Sequence, residues 1–280
     1  MSQAIRHRLT NGVILAIYVV IIVFFLFPIF WVFSLSLRTV PELFASPPIW
    51  FPQDPQFQNY TFVLQKTPVG QYLIHSLILV VLTVLIVLAI AIPAAYALSR
   101  FRFRLSRATL VAILVCQMIS PVVIVIPLYN FFASLNVLNN YVTLLLVYCA
   151  ISLPFSTWFL KGFLDTIPRE LDEAAHVDGC TRLQALWHVI LPMTVPGITS
   201  AALLAAVMSW SQFVVPFILV DDPNFYPVTV GLVNLEGNSD SITLQYLAAG
   251  SILAIVPVML IFVLLQRFIV SGLTNGAVKG

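Results

Sequence analysis

The polar residues that could carry chemistry are concentrated in one segment of the chain, between Lys161 and Pro192. Five of the eleven acidic residues lie there, namely Asp165, Glu170, Asp172, Glu173 and Asp178. His176 and His188 lie there too, but they are 12 residues apart and lack the spacing of metal ligands. No nucleophile–base pair of a membrane enzyme accompanies them. The segment therefore favours a docking site for another protein over a metal or catalytic centre.

The same segment carries the start and stop signals of two short helices. Pro168 suits a first helical position, and the acidic residues after it suit the positive end of a helix. Gly179 stands where this first helix would end, because glycine readily adopts a positive φ. Thr181 and Gln184 then match a capping box that opens a second helix. The pattern predicts a helix, a glycine bend and a second helix.

The faces of these two helices indicate how the segment would be used. Ala174 and Ala175 give the first helix a flat face that it can present outward. The second helix has an apolar stripe at helical spacing, formed by Leu183, Leu186, Trp187 and Ile190. Pro192 is expected to end or bend this helix near Leu191. An amphipathic helix on the membrane surface is the alternative, but such helices are usually rich in Lys and Arg.

The composition places this segment in a membrane protein. The chain has 280 residues, of which 60% are hydrophobic and 9% charged, and its mean hydropathy is +1.02. So few charges cannot cover a water-facing surface, since soluble domains carry roughly 25%. The net charge of +2 is too small to indicate a nucleic-acid partner. The three cysteines are far apart and are interpreted as small apolar helix residues.

Six stretches are long and apolar enough to cross a bilayer, which takes about 20 residues. They span residues 13–37, 71–98, 109–134, 142–160, 194–220 and 244–270. The first is interpreted as a retained helix and not a signal peptide, because its apolar run is too long and no cleavage site follows it. The chain is thus predicted to be one all-α membrane domain of six transmembrane helices, with a cytoplasmic loop over residues 161–192.

The distribution of lysine and arginine predicts the orientation of these helices. With the N-terminus in the cytoplasm, 11 of the 13 basic residues fall on the inner side, and only Arg38 and Lys66 fall outside. Four of the inner arginines stand in the SRFRFRLSR loop between the second and third spans. Both termini and the segment 161–192 are therefore expected in the cytoplasm.

The spans hold neutral polar groups but no ionisable residue at depth. These groups are Gln117, Asn130, Thr157, Ser209, Ser211 and Gln212. Gln117, Asn130, Ser209 and Gln212 are candidates to line a path for a neutral, hydroxyl-rich solute, although interhelical hydrogen bonds would explain them equally. Ion-driven carriers often place ionisable groups in the bilayer. The energy for active transport is therefore expected to come from another subunit.

One sequence motif resembles that of a known family. Glu173-Ala174-Ala175, three residues, Gly179, nine residues, and then Val189-Ile190-Leu191-Pro192 resemble the EAA loop of ABC importer permeases. Asp178 before the glycine also matches. Val189 stands where isoleucine is usual, which keeps the position apolar.

The resemblance extends along the chain to permeases of carbohydrate uptake. Gln58-Asn59-Tyr60 is similar to a motif before their second span, and Trp210-Ser211-Gln212-Phe213 is similar to their Trp-Asn-Glu-Phe stretch, with two polar residues changed. The C-terminal QRFIVSGLTNGAVKG is similar to that of maltose-type and glycerol-phosphate-type permeases.

The resemblance implies a fold and a set of partners. The fold would be the six-helix, MetI-like fold of type I importer permeases in a prokaryotic plasma membrane. The partners would be a second homologous permease, a cytoplasmic ATPase dimer, an extracellular or periplasmic solute-binding protein, and membrane lipid. Glu173, Ala174, Ala175, Asp178, Gly179, Leu191 and Pro192 would couple the chain to the ATPase. The tail from Gly272 would also contact the ATPase.

The chain itself is expected to be a transport subunit without cofactor or metal. It has no GxxxxGK motif followed by Ser or Thr, so it is not expected to hydrolyse ATP. Two alternatives remain open. A permease of the same architecture could import an amino acid, a peptide or an anion, and an ion-coupled secondary carrier would need no ATPase.

Overall fold

The computed structural model describes residues 3–101, 106–237 and 243–277; the side chains of residues 3–10, 106–107, 236–237, 265 and 267–277 are not described. The described chain consists of helices and connecting segments, without a β-strand. It divides into two compact units, one formed by Met1–Gly70 and Leu232–Ile255 and the other by Gln71–Gly231 and Val256–Gly280.

The first unit begins with the long helix α1 (Gln3–Ser36). Two short helices, α2 (Val40–Leu43) and α3 (Gln58–Lys66), follow it. The Asn59 side-chain amide donates to the carbonyl oxygens of Ser36 and Arg38, at 2.9 and 3.3 Å, and so attaches the start of α3 to the end of α1. Asn59, the middle residue of the Gln58-Asn59-Tyr60 motif, thus has a structural role in this unit.

The second unit holds the helices that matter for the candidate site. After α4 (Val69–Arg100) come α5 (Ser106–Met118), α6 (Pro121–Ser134), α7 (Tyr141–Leu164), α8 (Glu170–Val177), α9 (Arg182–Ala185), α10 (Leu191–Trp210), α11 (Val214–Leu219), α12 (Val228–Gly237) and α13 (Leu244–Ala277), although parts of α4, α12 and α13 belong to the first unit. A π-helical turn, Leu186–Ile190, joins α9 to α10. Helix α10 packs along α7.

The small residues of α10 permit this packing. Ala201, Ala205 and Ser209, which recur every four residues, are all buried within the chain. Such residues let two helix backbones approach closely in lipid. Their burial shows that the stripe is used for contacts inside this chain.

Two of the six apolar stretches are broken helices. The stretch 109–134 forms α5 and α6, which meet at a bend of 88° at Ile119 and Ser120. Pro121 begins α6, and because proline lacks an N–H and restricts the residue before it, it favours a helix break at this point. The stretch 194–220 ends its main helix at Trp210 and resumes at Val214.

The helix lengths agree with a membrane protein. Among the described residues, five helices are long and apolar enough to cross a bilayer, and the bent pair α5–α6 makes a sixth span if it is counted as one. The prediction of an all-α membrane protein is confirmed.

Some of the basic residues that predict the orientation fall outside this description. Arg102, Arg104 and Lys279 lie outside the described residues, as do the side chains of Arg6, Arg8, Arg107 and Arg267. The C-terminal segment from Gly272 has a described helical backbone as far as Ala277 but no described side chains.

Candidate functional site

Helix α8 ends at Gly179 in a Schellman motif. Gly179 has a φ of +85°, as the sequence predicts. The Cys180 N–H donates to the Ala175 carbonyl at 2.9 Å, and the Gly179 N–H donates to the His176 carbonyl at 3.1 Å. These two bonds satisfy carbonyl groups that the helix end would otherwise leave open. The start of α8, at Glu170, is two residues later than the position that Pro168 suggests.

A capping box opens the next helix, as predicted. The Gln184 N–H donates to Thr181 Oγ1 at 3.4 Å, and the Thr181 N–H donates back to Gln184 Oε1 at 2.8 Å. The glycine and this cap together hold a sharp, ordered bend between α8 and α9. The prediction of a helix, a glycine bend and a second helix is confirmed.

The second helix does not end at Pro192, although an end is one of the two outcomes, an end or a bend, that the sequence predicts there. The chain stays helical from Arg182 to Trp210 by way of the π-helical turn over Leu186–Ile190. Within this turn the Leu191 N–H donates to the Leu186 carbonyl, five residues back. The wider turn changes the backbone hydrogen bonds from an i→i−4 to an i→i−5 pattern. Pro192 therefore lies in the first turn of α10, where its missing N–H matters least.

The exposed face of this bend differs in one residue from the predicted face. Glu173, Ala174 and Asp178 are exposed, but Ala175 is buried, with 4% of its surface accessible. The expectation that both alanines face outward is therefore wrong for Ala175, which packs inward. In the apolar stripe Leu186 and Ile190 are buried, whereas Leu183 and Trp187 are exposed.

A buried polar cluster fixes the inner side of α8 to the last turn of α4. Arg100 Nε lies 2.8 Å from Asp172 Oδ2, and both side chains are largely buried. The Tyr96 hydroxyl donates to Asp172 Oδ1 at 2.7 Å. A buried carboxylate is costly unless it is paired and hydrogen-bonded, and Asp172 is both.

More polar contacts surround this cluster. The Ser99 hydroxyl donates to Asp165 Oδ1 at 2.7 Å, and Lys161 lies 2.6 Å from the other oxygen of Asp165. Arg169 donates to the Ser99 carbonyl at 2.8 Å. The connection between α7 and α8 is thus also attached to α4.

The apolar residues beneath the bend form one packed cluster. It contains Leu160 and Leu164 from the end of α7, Ile167 from the segment after α7, Ala95 and Tyr96 from α4, and Leu186 and Ile190 from the π-helical turn. Leu171 of α8 packs against this cluster. The segment 161–192 is therefore an ordered platform and not a solvated loop.

The two helix breaks of the second unit border one cavity. It has a volume of about 610 Å³, and its lining includes Gln117, Ile119 and Pro121 at the first break and Gln212 and Val215 at the second. Irregular backbone at membrane depth is tolerated where it is buried in protein or lines a water-filled cavity. No ionisable Asp, Glu, Lys, Arg or His is among the described residues that line it.

The structure brings together two of the four candidate path residues. Gln117 and Gln212 line this cavity. Ser209 is buried beside Tyr148 and Ser76, in a space too small for a water molecule, and Asn130 is exposed on α6. Gln117 also donates to the Ile151 carbonyl at 3.2 Å, so it acts as an interhelical hydrogen-bonding group as well.

Sequence patterns predict no structural role for several residues of the polar cluster. They indicate only an orientation signal at Arg100 and an acidic residue near a helix start at Asp172, and they predict nothing for Tyr96. Tyr96 and Asp172 are 76 residues apart, and no local pattern predicts that they meet. The one available signal was the placement of Arg100 at the end of an apolar span.

Comparison with known proteins places the chain in a family. Residues 87–275 match the family described as "Binding-protein-dependent transport system inner membrane component". The chain is 34% identical to the sulfoquinovosyl glycerol transport system permease protein SmoH of Agrobacterium fabrum, over 91% of this chain and 89% of that protein. It is 34% identical to the diacetylchitobiose uptake system permease protein DasC of Streptomyces coelicolor, over 94% and 95%.

A third relative and one solved structure agree with this placement. The trehalose/maltose transport system permease protein MalG of Thermococcus litoralis is 32% identical, over 91% of this chain and 92% of that protein. A chain in the crystal structure of a bacterial ABC transporter involved in the import of the acidic polysaccharide alginate superposes with a TM-score of 0.81. The superposition covers 96% of this chain and 99% of the alginate transporter chain, at 23% sequence identity, and so shows that the two share a fold. The chain therefore belongs to the family of inner membrane components of binding-protein-dependent transport systems, and it has the predicted fold of the type I ABC importer permeases.

Proposed function

We propose that this protein is one permease subunit of an ATP-driven importer for a sugar or sugar-like solute. A second homologous permease completes the translocation path, a cytoplasmic ATPase dimer supplies the energy, and an extracellular solute-binding protein delivers the solute. The observation that carries the proposal is the ordered platform 161–192, which exposes an acidic, small-residue helix on a rigid base.

The exposed side of α8 is the proposed docking surface for the ATPase. Glu173 contacts a basic group of the partner, and Ala174 allows close approach of the two backbones. Asp178 and Gly179 fix the end of the helix, while Ala175 supports it from below. Leu191 and Pro192 connect the docked element to α10 through the π-helical turn. When ATP closes the ATPase dimer, the docked helix is carried with it, and the permease changes from an inward-open to an outward-open state.

The chain contributes no ATP site of its own in this proposal. Its sequence lacks the phosphate-binding loop of an ATPase. ATP is bound and hydrolysed by the partner, and the permease responds through α8.

The cavity at the two helix breaks is the proposed part of the solute path in this subunit. Gln117 and Gln212 supply amide groups for the hydroxyls of a neutral solute, and the remaining lining is mostly apolar. The names of the three relatives all refer to carbohydrate compounds, which supports a carbohydrate. Asn130 and Ser209 are weaker candidates because neither lines this cavity.

The orientation follows from the basic residues. Arg100, Lys161, Arg169 and Arg182 gather at the end of α4 and on the platform 161–192. By the positive-inside rule this end lies in the cytoplasm, as do both termini. The membrane is the plasma membrane of a prokaryote.

The decisive experiment has two parts. The chain is expressed with the permease, ATPase and solute-binding protein encoded beside it, and the binding protein is screened by thermal shift against trehalose, maltose, diacetylchitobiose, amino acids and short peptides. The solute that binds is then radiolabelled and offered to proteoliposomes that contain the complex. We expect a carbohydrate to bind, and we expect its uptake to require ATP inside the liposomes.

Each alternative gives a different result. Binding of an amino acid or a peptide would replace the carbohydrate with another solute class and keep the importer. Uptake by the two permeases without the ATPase, abolished by an ionophore, would identify an ion-coupled carrier and contradict the proposal.

A further inference from the structure

Asp172 lies on the opposite side of α8 from the proposed docking surface. Its carboxylate accepts a hydrogen bond from the Tyr96 hydroxyl at 2.7 Å and pairs with Arg100 Nε at 2.8 Å. Tyr96 and Asp172 are buried, with 6% and 9% of their surfaces accessible. Glu173, the next residue along the helix, is exposed. Helix α8 therefore has one acidic residue, Glu173, that is exposed to solvent, and another, Asp172, that is buried against α4.

All these contacts lead to the last turn of α4. Besides Tyr96 and Arg100, Ser99 in the same turn bonds to Asp165 and accepts a bond from Arg169. Arg100 also donates to the Ile167 carbonyl at 3.1 Å. Helix α8 is connected through the backbone to α7 and α10, but to α4 only through these side chains and the packing around them, because 69 residues separate Arg100 from Glu170 along the chain.

We propose that Asp172 is a positioning residue that joins α8 to the last turn of α4, so that the two move as one body when the ATPase displaces α8. This inference rests on the proposed function and adds a third route of transmission, into the second span, to the two routes through the backbone. This connection depends on side chains, so a single substitution can disrupt it while the backbone stays intact.

The physical basis is the cost of separating a buried ion pair. Moving α8 away from α4 would deprive Asp172 of both partners and Arg100 of its carboxylate, which is far less favourable than moving both helices together. The two bonds to Asp172 come from residues four positions apart on α4, on one face of that helix. Two attachment points of this kind restrict rotation of α8 as well as translation.

The test measures one distance in the assembled transporter. Spin labels are placed on cysteines at Val177, which is 87% exposed on α8, and at Leu85, which is 60% exposed on α4. The native residues Cys116, Cys149 and Cys180 are replaced in this background. Leu85 lies about 22 Å along the helix from Arg100, at 1.5 Å per residue, which suits pulsed electron resonance. The distance is measured in the nucleotide-free complex and after trapping with ATP and vanadate.

With the native cluster we expect the same narrow distance distribution in both states. In Asp172→Asn, we expect the distance distribution of the trapped state to broaden, or its mean to shift by more than about 2 Å, a size typical of helix displacements in switching proteins. We expect the same change to a smaller degree in Tyr96→Phe. Asp54→Asn is the matched control, since it makes the same change at an exposed carboxylate that belongs to neither α4 nor α8. It should behave like the native chain.

Several results would overturn the inference. They are a native distance that changes between the two states, an Asp172→Asn distance that stays fixed, or an Asp54→Asn complex whose distance distribution broadens equally. If Asp172→Asn does not assemble, Tyr96→Phe decides the question, because it keeps the ion pair and the ring. A native complex that assembles but cannot be trapped by vanadate contradicts the proposed function and the inference together, whereas a trapped complex with a changing distance overturns the inference alone.

Discussion

Gly179 has a backbone conformation that other side chains rarely adopt. Its φ of +85° closes the Schellman motif, while a Cβ placed there would meet no atom within 4 Å. The requirement for glycine is therefore conformational and not steric. A substitution at Gly179 can therefore change the backbone shape of the bend without creating a steric clash with its neighbours.

Replacement of Gly179 by valine should uncouple ATP hydrolysis from uptake while the chain still inserts and assembles. A β-branched residue at positive φ costs about 1–3 kcal/mol, which shifts the end of α8 and the direction of the docking surface. The measurement is the ATP hydrolysed per solute transported in proteoliposomes. Gly179→Asn is the matched control because asparagine tolerates this conformation, and it should keep most of the coupling. Native coupling in Gly179→Val would contradict the prediction.

The segment that follows α1 in the first unit contains a carboxylate with a shifted pKa. The Thr39 N–H donates to Glu42 at 3.0 Å and the Gln53 N–H donates at 2.8 Å. These bonds, above all that from Thr39, favour the ionised form and lower the pKa of Glu42. The folded-state pKa therefore lies below the unfolded-state value of about 4.3.

The stabilisation from Glu42 should be fully present above the unfolded-state pKa. It should be lost as the pH falls through the lower folded-state pKa, where the carboxylate is protonated in both states. The midpoint of thermal unfolding of the purified chain should therefore be higher than that of Glu42→Gln at pH 7, and the difference should shrink between about pH 5 and pH 3. A difference that stays constant over this range would show that the carboxylate charge is not involved.

The two broken helices, α5–α6 and α10–α11, leave backbone groups without regular helical partners near one cavity. One of these groups finds another partner, since Thr229 Oγ1 donates to the Gln212 carbonyl at 2.8 Å. The side-chain amide of Gln117 instead donates to the Ile151 carbonyl of α7 at 3.2 Å. The two glutamines at the cavity thus differ. The side-chain amide of Gln117 holds two helices together, whereas Gln212 is bound through its backbone carbonyl.

Leucine substitutions should separate these two roles. Gln117→Leu should lower the free energy of unfolding by about 1 kcal/mol, because it removes a hydrogen bond to a carbonyl. Gln212→Leu should leave stability nearly unchanged, and both should weaken uptake of a hydroxyl-rich solute. Thermal unfolding in detergent and initial uptake rates are the measurements. A larger loss of stability in Gln212→Leu than in Gln117→Leu would reverse the assignment.

The whole molecule exposes apolar surface that water would not tolerate. In the candidate span Asn11–Ser36 the most apolar window has no buried residue, and large apolar side chains are also exposed along α4, α6 and α13. Lipid and the proposed second permease would cover such a surface. The ordered polar bend at α8 is the main described departure from this pattern on the proposed cytoplasmic side.

Labelling from each side of the membrane should establish the orientation. In a cysteine-free background, Val177→Cys on α8 should react with a membrane-impermeant maleimide only in inside-out vesicles. Phe44→Cys, which replaces an 81% exposed residue after α2, should react only in right-side-out vesicles. The reverse pattern would contradict the cytoplasmic assignment of the platform 161–192.

Local patterns were sufficient to predict the helices and the bend. The apolar stretches are longer than a bilayer requires, and backbone bonds can be satisfied in lipid only by helices or closed barrels, so all-α structure follows from composition and length. The glycine conformation and the capping box at Thr181 and Gln184 depend on residues within a few positions of each other. For this reason the helix–bend–helix prediction was confirmed in the structure.

Only the tertiary structure decided what α8 rests on and where the helices break. Asp172, Tyr96 and Arg100 meet across at least 72 residues of chain, and Ala175 turns inward because α8 packs on that cluster and the residues beneath it. The π-helical turn before Pro192 and the shared cavity at Gln117 and Gln212 likewise depend on how helices pack. Sequence periodicity indicates which face of a helix is buried. Which helix that face contacts, when the two are distant in the chain, is decided by tertiary packing. The same packing decides the direction in which a docked helix can move.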